Sequence, residues 1–164
     1  MGHNIYFESI INYFTSENSD EPLENYTNRI DLSSDLANAY LQDMSTITST
    51  SCEFIPYENE LYMFCNKGDA FSAVFTGNVF GVVGRIRSDG GQLECKIDNI
   101  EKVTLDFWDH YALKYNRTNY FLSLENLENY DHELTCTITD HIISDNFGHS
   151  QGHIVEIHYF MINP

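Results

Sequence analysis

The sequence predicts an α+β domain in which two N-terminal helices pack on a twisted, mainly antiparallel β-sheet of about six to eight strands. Three observations carry that reading. Apolar residues recur at helical spacing over roughly the first fifty positions, they alternate with period two from Glu53 onward, and turn signals interrupt that second stretch about every ten residues. The chain has 164 residues, 42% of them hydrophobic and 14% aromatic. A single domain over 1–164, helical over 1–50 and a sheet over 53–164, therefore has ample core material, and a wholly disordered acidic chain is excluded.

Tyr6, Ile10, Tyr13 and Phe14 follow an i, i+4, i+7, i+8 spacing and mark a short helix that ends near the polar run Ser16 to Pro22. A second helix fits Ser34 to Met44. Ser33 is its N-cap, Asp35 sits in the first turn where the macrodipole favours an anion, and Leu36, Tyr40, Leu41 and Met44 share a face. Ser45 to Ser51 reads as a connection or an edge strand. Leu61 to Cys65 and Ala70 to Phe75 then alternate between the brackets Asn66-Lys67-Gly68 and Gly77-Asn78, which read as hairpin turns of a meander. Val79 to Arg87 carries Gly81 and Gly84, a bulge or bend signal, and Asp89-Gly90-Gly91 turns the chain into Leu93, Cys95 and Ile97. After Asp98-Asn99, Val103, Leu105 and Phe107 point one way and Thr104, Asp106 and Trp108 the other. Tyr120 to Leu124 follows, then Leu134, Cys136 and Ile138. The last run, Ile154 to Met161, is apolar on both faces apart from Glu156 and His158 and belongs in the middle of the sheet.

Cys52, Cys65, Cys95 and Cys136 lie far apart with no Cys-x-x-Cys, and three of them occupy apolar-phase positions. They read as reduced, buried small hydrophobes. No charged leader with an apolar run opens the sequence and no stretch approaches a membrane helix, so the expected location is cytoplasmic. The triplets at Asn25 and Asn116 match Asn-x-Thr, which matters only in a secreted eukaryotic protein, and they read as coincidence.

The formal charge is −17, from 8 Lys+Arg against 25 Asp+Glu. It is segregated: residues 1–60 hold 11 acids and 1 base, residues 61–102 hold 5 of each, and residues 103–164 hold 9 acids and 2 bases. Such a field repels phosphate backbones and anionic membranes and favours a basic protein partner. Asp106, Trp108, Asp109, Tyr111, Glu125, Glu128, Tyr130, Asp131 and Glu133 interleave carboxylates with aromatic rings and form the candidate partner-binding surface. The plainer reading of the same residues is a solvated acidic face.

No catalytic residues emerge. His149, His153 and His158 are dense enough to suggest zinc, yet Gly148, Gly152 and the β-branched run after them indicate a turn into a strand, which separates the rings. Asp109-His110, Asp131-His132 and Asp140-His141 are neighbours in sequence and so face opposite sides of a strand. No nucleophile elbow, P-loop or dinucleotide fingerprint is present, and no metal or cofactor is expected.

Size, acidity and aromatic content together point to an immunity protein that blocks the basic cleft of a cationic toxin domain such as a nuclease. In the stretches Asp106 to Tyr111 and Glu125 to Glu133 the chain resembles, in type, the immunity proteins of contact-dependent growth inhibition and other polymorphic toxin systems. That resemblance implies a cognate toxin as partner and an exposed edge such as Ala70 to Phe75 for strand addition. The competing readings are a secretion chaperone for an effector and a DNA-mimic inhibitor.

Overall fold

Two antiparallel sheets face one another and enclose the main apolar core. The structure, a computed structural model, describes residues 39–42, 44–57, 60–124 and 127–164. The chain divides into units 1–39 and 40–164, and the sandwich is the second. Its strands are β1 (Tyr40–Gln42), β2 (Thr48–Ser49), β3 (Glu53–Tyr57), β4 (Glu60–Cys65), β5 (Ala70–Thr76), β6 (Val79–Ile86), β7 (Gln92–Ile97), β8 (Glu101–Asp106), β9 (Arg117–Leu124), β10 (Asp131–Ile138), β11 (Ser144–Asp145), β12 (Gly148–His149) and β13 (Val155–Asn163). One sheet runs β3-β4-β13-β6-β9, with β1 also on β13; the other runs β2-β5-β10-β7-β8, and β11 and β12 form a separate hairpin.

This corrects the α+β expectation. The long strands fall where the period-two pattern placed them, but the chain steps between sheets at β4–β5, β5–β6 and β6–β7. Asn66-Lys67-Gly68 and Gly77-Asn78 are therefore crossovers and not hairpin turns. Alternation reports which side chains face a core and is silent on which sheet holds them. The two hairpins of the main sheets are β3–β4 and β7–β8. The second turns through Asp98-Asn99-Ile100, where Asp98 and Asn99 take positive φ angles of 52° and 59° that match the strand twist.

The expected helix over Ser34–Met44 is also corrected, as far as its residues are described. Tyr40–Gln42 pair with Phe160–Ile162, and Met44–Thr46 form a single 3-10 turn that buries Met44 in the core. β13 meets β4 only through Val155–Ile157, so β1 supplies partners for backbone groups farther along the same flank. Satisfying that edge outweighs a weak helix propensity. The helix expected over Tyr6–Phe14, and the rest of the helical part before residue 39, lie outside the described residues.

β13 is buried along its whole length, as a central strand must be, whereas β10 alternates strictly between exposed and buried positions. Phe71 and Phe75 from one sheet meet Phe80 and Phe160 from the other at ring separations of 5.1 to 6.1 Å, closing the core across the sandwich.

The four cysteines are not free thiols. Cys52 bonds to Cys65, and Cys95 to Cys136 directly across the β7–β10 ladder. Their apolar phase concealed the pairing, because partners brought together by strand register have no fixed spacing in sequence. Denatured but unreduced protein should show no thiol reactivity, and Cys95→Ala with Cys136→Ala should cost about 2–4 kcal/mol by denaturant titration. Four reactive thiols in unreduced protein would contradict the pairing.

His132, 2% exposed, sets a pH dependence. Its Nδ1 lies 2.7 Å from Asp98 Oδ2 and its Nε2 2.7 Å from the Glu128 carbonyl. Both partners are acceptors, so both ring nitrogens must donate and the ring is an imidazolium. Burial alone lowers its pKa, but the Asp98 and Glu128 bonds outweigh burial and the net shift is upward. Asp98 shifts downward, first through its bond from His132 and then through the Glu133 N–H. The raised group stabilises fully below the unfolded value of about 6.5 and loses its contribution as pH climbs through the folded value. Melting temperature should therefore fall as pH rises above the unfolded value of about 6.5, and His132→Gln should flatten that slope.

Candidate functional site

One end of the sandwich gathers the segments 87–91, 107–116 and 139–154. Their backbones are tied together: Gly91 N–H donates to Ile154 O at 2.8 Å, Phe107 N–H to Gly91 O at 2.9 Å, and Gln151 N–H to Ser88 O at 2.9 Å. Gly90 has to be glycine, since a Cβ there would lie 1.9 Å from the Phe107 carbonyl oxygen. Trp108 is buried beneath this end with Ile86, Ala112 and Ile143, a second small core that stiffens the loops above it.

On that support the 107–117 segment displays aromatic rings. Asp109 caps the 3-10 turn His110–Leu113 by accepting from Tyr111 N–H at 3.0 Å and Ala112 N–H at 3.3 Å, and it also accepts from both terminal nitrogens of Arg117. Burial raises the Asp109 pKa, yet Arg117 and the two N–H groups more than offset it and hold the carboxyl low. The clamp fixes the turn with Tyr111 52% and Tyr115 54% exposed, and Arg117 lies over the Tyr115 ring at 5.9 Å.

The β11–β12 hairpin adds a third ring. Its tip, Asn146-Phe147, leaves Phe147 76% exposed, and Asp145 Oδ1 accepts the Phe147 N–H at 2.7 Å. His110 joins the two segments: Nδ1 lies 2.9 Å from Asp145 Oδ2, and its ring sits 3.9 Å from Tyr111 and 4.8 Å from Phe147 between centroids. The Phe147 N–H, and then His110, keep the Asp145 carboxyl below its ordinary value. Exposed apolar rings on a braced scaffold, bordered by fixed hydrogen-bonding groups, make a docking surface for a ligand with both C–H faces and hydroxyls. A second aromatic group, Tyr57, Tyr62 and His158, stacks at 5.3 and 3.9 Å, but Tyr62 and His158 are buried and serve as packing.

The residues expected from sequence divide between the two ends of the sandwich. Asp109 and Tyr111 belong to the surface just described, Trp108 lies beneath it, and Asp106 accepts from Gln92 at 2.9 Å beside it. Glu128, Tyr130, Asp131 and Glu133 sit at the opposite end: Asp131 begins β10, while Thr139, past its far end, donates to Gln92, the β7 partner of Asp106. That run spans about 27 Å at ~3.4 Å per residue. Glu128 and Tyr130 frame His132, and Asp131 accepts from Thr76. Glu125 lies outside the described residues. The eight described residues thus form no single acidic face, and of the edge expected over Ala70–Phe75, β2 covers Phe71–Ser72 while Ala73–Phe75 have no described strand beside them other than β10. His110, Tyr115, Arg117, Asp145 and Phe147 were missed. The turn Asp145-Asn146-Phe147-Gly148 was the available signal, an aromatic residue inside a polar turn.

No family model and no curated protein matches the sequence. Solved structures do match its fold. A two-domain esterase active on acetylated mannans, co-crystallised with mannopentaose, superposes with a TM-score of 0.61 at 15% identity over 98% of this chain and 45% of that one. A second structure of that esterase gives 0.61 at 13% identity over 98% and 46%. A family 35 carbohydrate-binding module from Cellvibrio japonicus gives 0.49 at 10% identity over 75% and 91%. The chain spans less than half the length of the esterase. The β-sandwich fold shared with the esterase, together with the separation of the two acidic stretches, corrects the reading as an immunity protein, which presumed an α+β fold with one acidic face. With it go the cationic nuclease as partner and the chaperone and DNA-mimic alternatives.

Proposed function

We propose that the chain is a non-catalytic carbohydrate-binding β-sandwich that docks a polysaccharide on Tyr111, Phe147 and Tyr115. The observation that carries this reading is the set of three exposed rings held by the Asp109–Arg117 clamp and the His110–Asp145 pair. A pyranose presents an apolar C–H face that stacks on such rings and a rim of hydroxyls that bonds to carboxylate, guanidinium and imidazole. The esterase that shares this sandwich is active on acetylated mannans, which makes mannan the first glycan to test. The two disulfides favour an oxidising compartment over the cytoplasm expected from sequence.

The test is affinity electrophoresis of the folded protein through gels carrying mannan, xylan, β-glucan or starch, followed by calorimetry with matching oligosaccharides. Retardation by at least one glycan, reversed by its free oligosaccharide, is the expected result. Unretarded migration across the panel by protein with a cooperative melt would overturn the proposal.

A further inference from the structure

Of the Asn116-Arg117-Thr118 triplet the docking surface uses Arg117 alone, leaving Asn116 and Thr118 without a role although the triplet adjoins Tyr115. Asn116 lies in the irregular stretch between the 3-10 turn and β9, and both Asn116 and Thr118 are exposed. In an extended chain these two residues share a side, while Arg117 between them is turned to Asp109. Among the described residues β9 is the last strand of its sheet, and one flank of the triplet pairs with β6 while no described strand lies along the other. An acceptor triplet needs this combination: an accessible amide, an accessible hydroxyl two residues on, and backbone not enclosed in a ladder. The disulfides remove the premise on which the triplet read as coincidence, since they fit a chain that matures in an oxidising secretory compartment.

We infer that Asn116 is an N-glycan acceptor. Its Nδ2 attacks the anomeric carbon of a lipid-pyrophosphate-linked oligosaccharide; the C–N bond forms, the C–O bond to pyrophosphate breaks, the pyrophosphate leaves with the electron pair, and Nδ2 gives up one proton. A glycan here also covers the start of a strand that is an edge among the described residues, a position where an uncovered backbone invites pairing with another chain.

The full chain is secreted from a eukaryotic cell and mapped by peptide mass spectrometry before and after peptide N-glycosidase. The expected result is a glycopeptide containing Asn116 that the enzyme converts to aspartate at that position. Asn116→Gln and Thr118→Ala each lose this glycan, and Thr118→Ser keeps it, while Asn25→Gln separates the other triplet. Secreted, disulfide-bonded wild-type protein whose Asn116 peptide is unmodified overturns the inference, as does a glycan that persists in Asn116→Gln and disappears in Asn25→Gln. The wild-type peptide map decides the matter even where a variant is not secreted.

Discussion

Replacing Tyr111 and Phe147 together by alanine is expected to abolish polysaccharide retention while leaving the melting temperature nearly unchanged. Phe147 is 76% exposed at the tip of a hairpin whose backbone is held by Asp145, so removing its ring takes nothing from either core. Tyr111 is likewise exposed, and the cap at its N–H uses backbone atoms that alanine keeps. Each ring should behave as a binding hot spot worth about 2 kcal/mol, roughly 30-fold in Kd. The two effects should not be fully additive, because both rings touch His110 and loss of one frees the imidazole to move. Calorimetry with the best-bound oligosaccharide measures the change. Tyr111→Phe keeps the stacking face and should lie within a few-fold of wild type. Val74→Ala, which alters an exposed apolar residue on β5, should bind normally. A double variant that binds within twofold of wild type would move the site elsewhere.

The strands were legible because a half-buried strand writes its burial into sequence with period two. Leu134, Cys136 and Ile138 are each buried, with exposed neighbours between them. What period two cannot encode is the assignment of strands to sheets. The same crossings that hid the sandwich hid its pairs: Cys95 with Cys136 by strand register, and His132 with Asp98 and His110 with Asp145 by contacts between separate segments, are joined across tens of residues. The Asp-His neighbours in the sequence did mark real histidine–carboxylate chemistry, but each of those two histidines takes its carboxylate from another strand or hairpin. For the candidate site, the aromatic and acidic stretch from Trp108 to Tyr111 was visible as composition. Phe147 was not, because a hairpin too short to show periodicity delivers it. Conversely, the acidic run near Tyr130 resembled the Trp108 stretch in composition and lies at the opposite end, so shared composition did not imply a shared surface.

Arg87→Met should be among the most destabilising single changes in the sandwich, at about 3–5 kcal/mol, because it strands a buried carboxylate. Glu156 lies on the central strand with its side chain 3% exposed, and Arg87 Nη1 donates to it at 2.8 Å. His158 Nε2 lies 2.9 Å from its other oxygen, and Arg85 is more distant at 3.8 Å. Arg87 also pairs with Asp89 through Nε at 2.7 Å, which holds the turn that Gly90 threads beneath Phe107. Met preserves the length and apolar volume of the arginine stem, so the loss reports the charge. Burial raises the Glu156 pKa, but His158, Arg87 and Arg85 outweigh burial and the net shift is downward. A depressed carboxyl contributes stability above the unfolded value of about 4.3 and loses it as pH falls through the folded value. Without Arg87 the burial effect gains ground and the Glu156 pKa should climb. Protonation then relieves a charge left with only His158 and Arg85 beside it, so the deficit of Arg87→Met relative to wild type should be largest near neutral pH and shrink on acidification. Denaturant titrations of both proteins across that range measure the difference. Glu156→Leu in the Arg87→Met background should recover a large part of the loss at neutral pH, since a buried ion pair replaced whole by apolar side chains costs little. A deficit that stays constant with pH, or a double variant no more stable than Arg87→Met, would place the role of Arg87 in its pairing with Asp89 and not in neutralising Glu156.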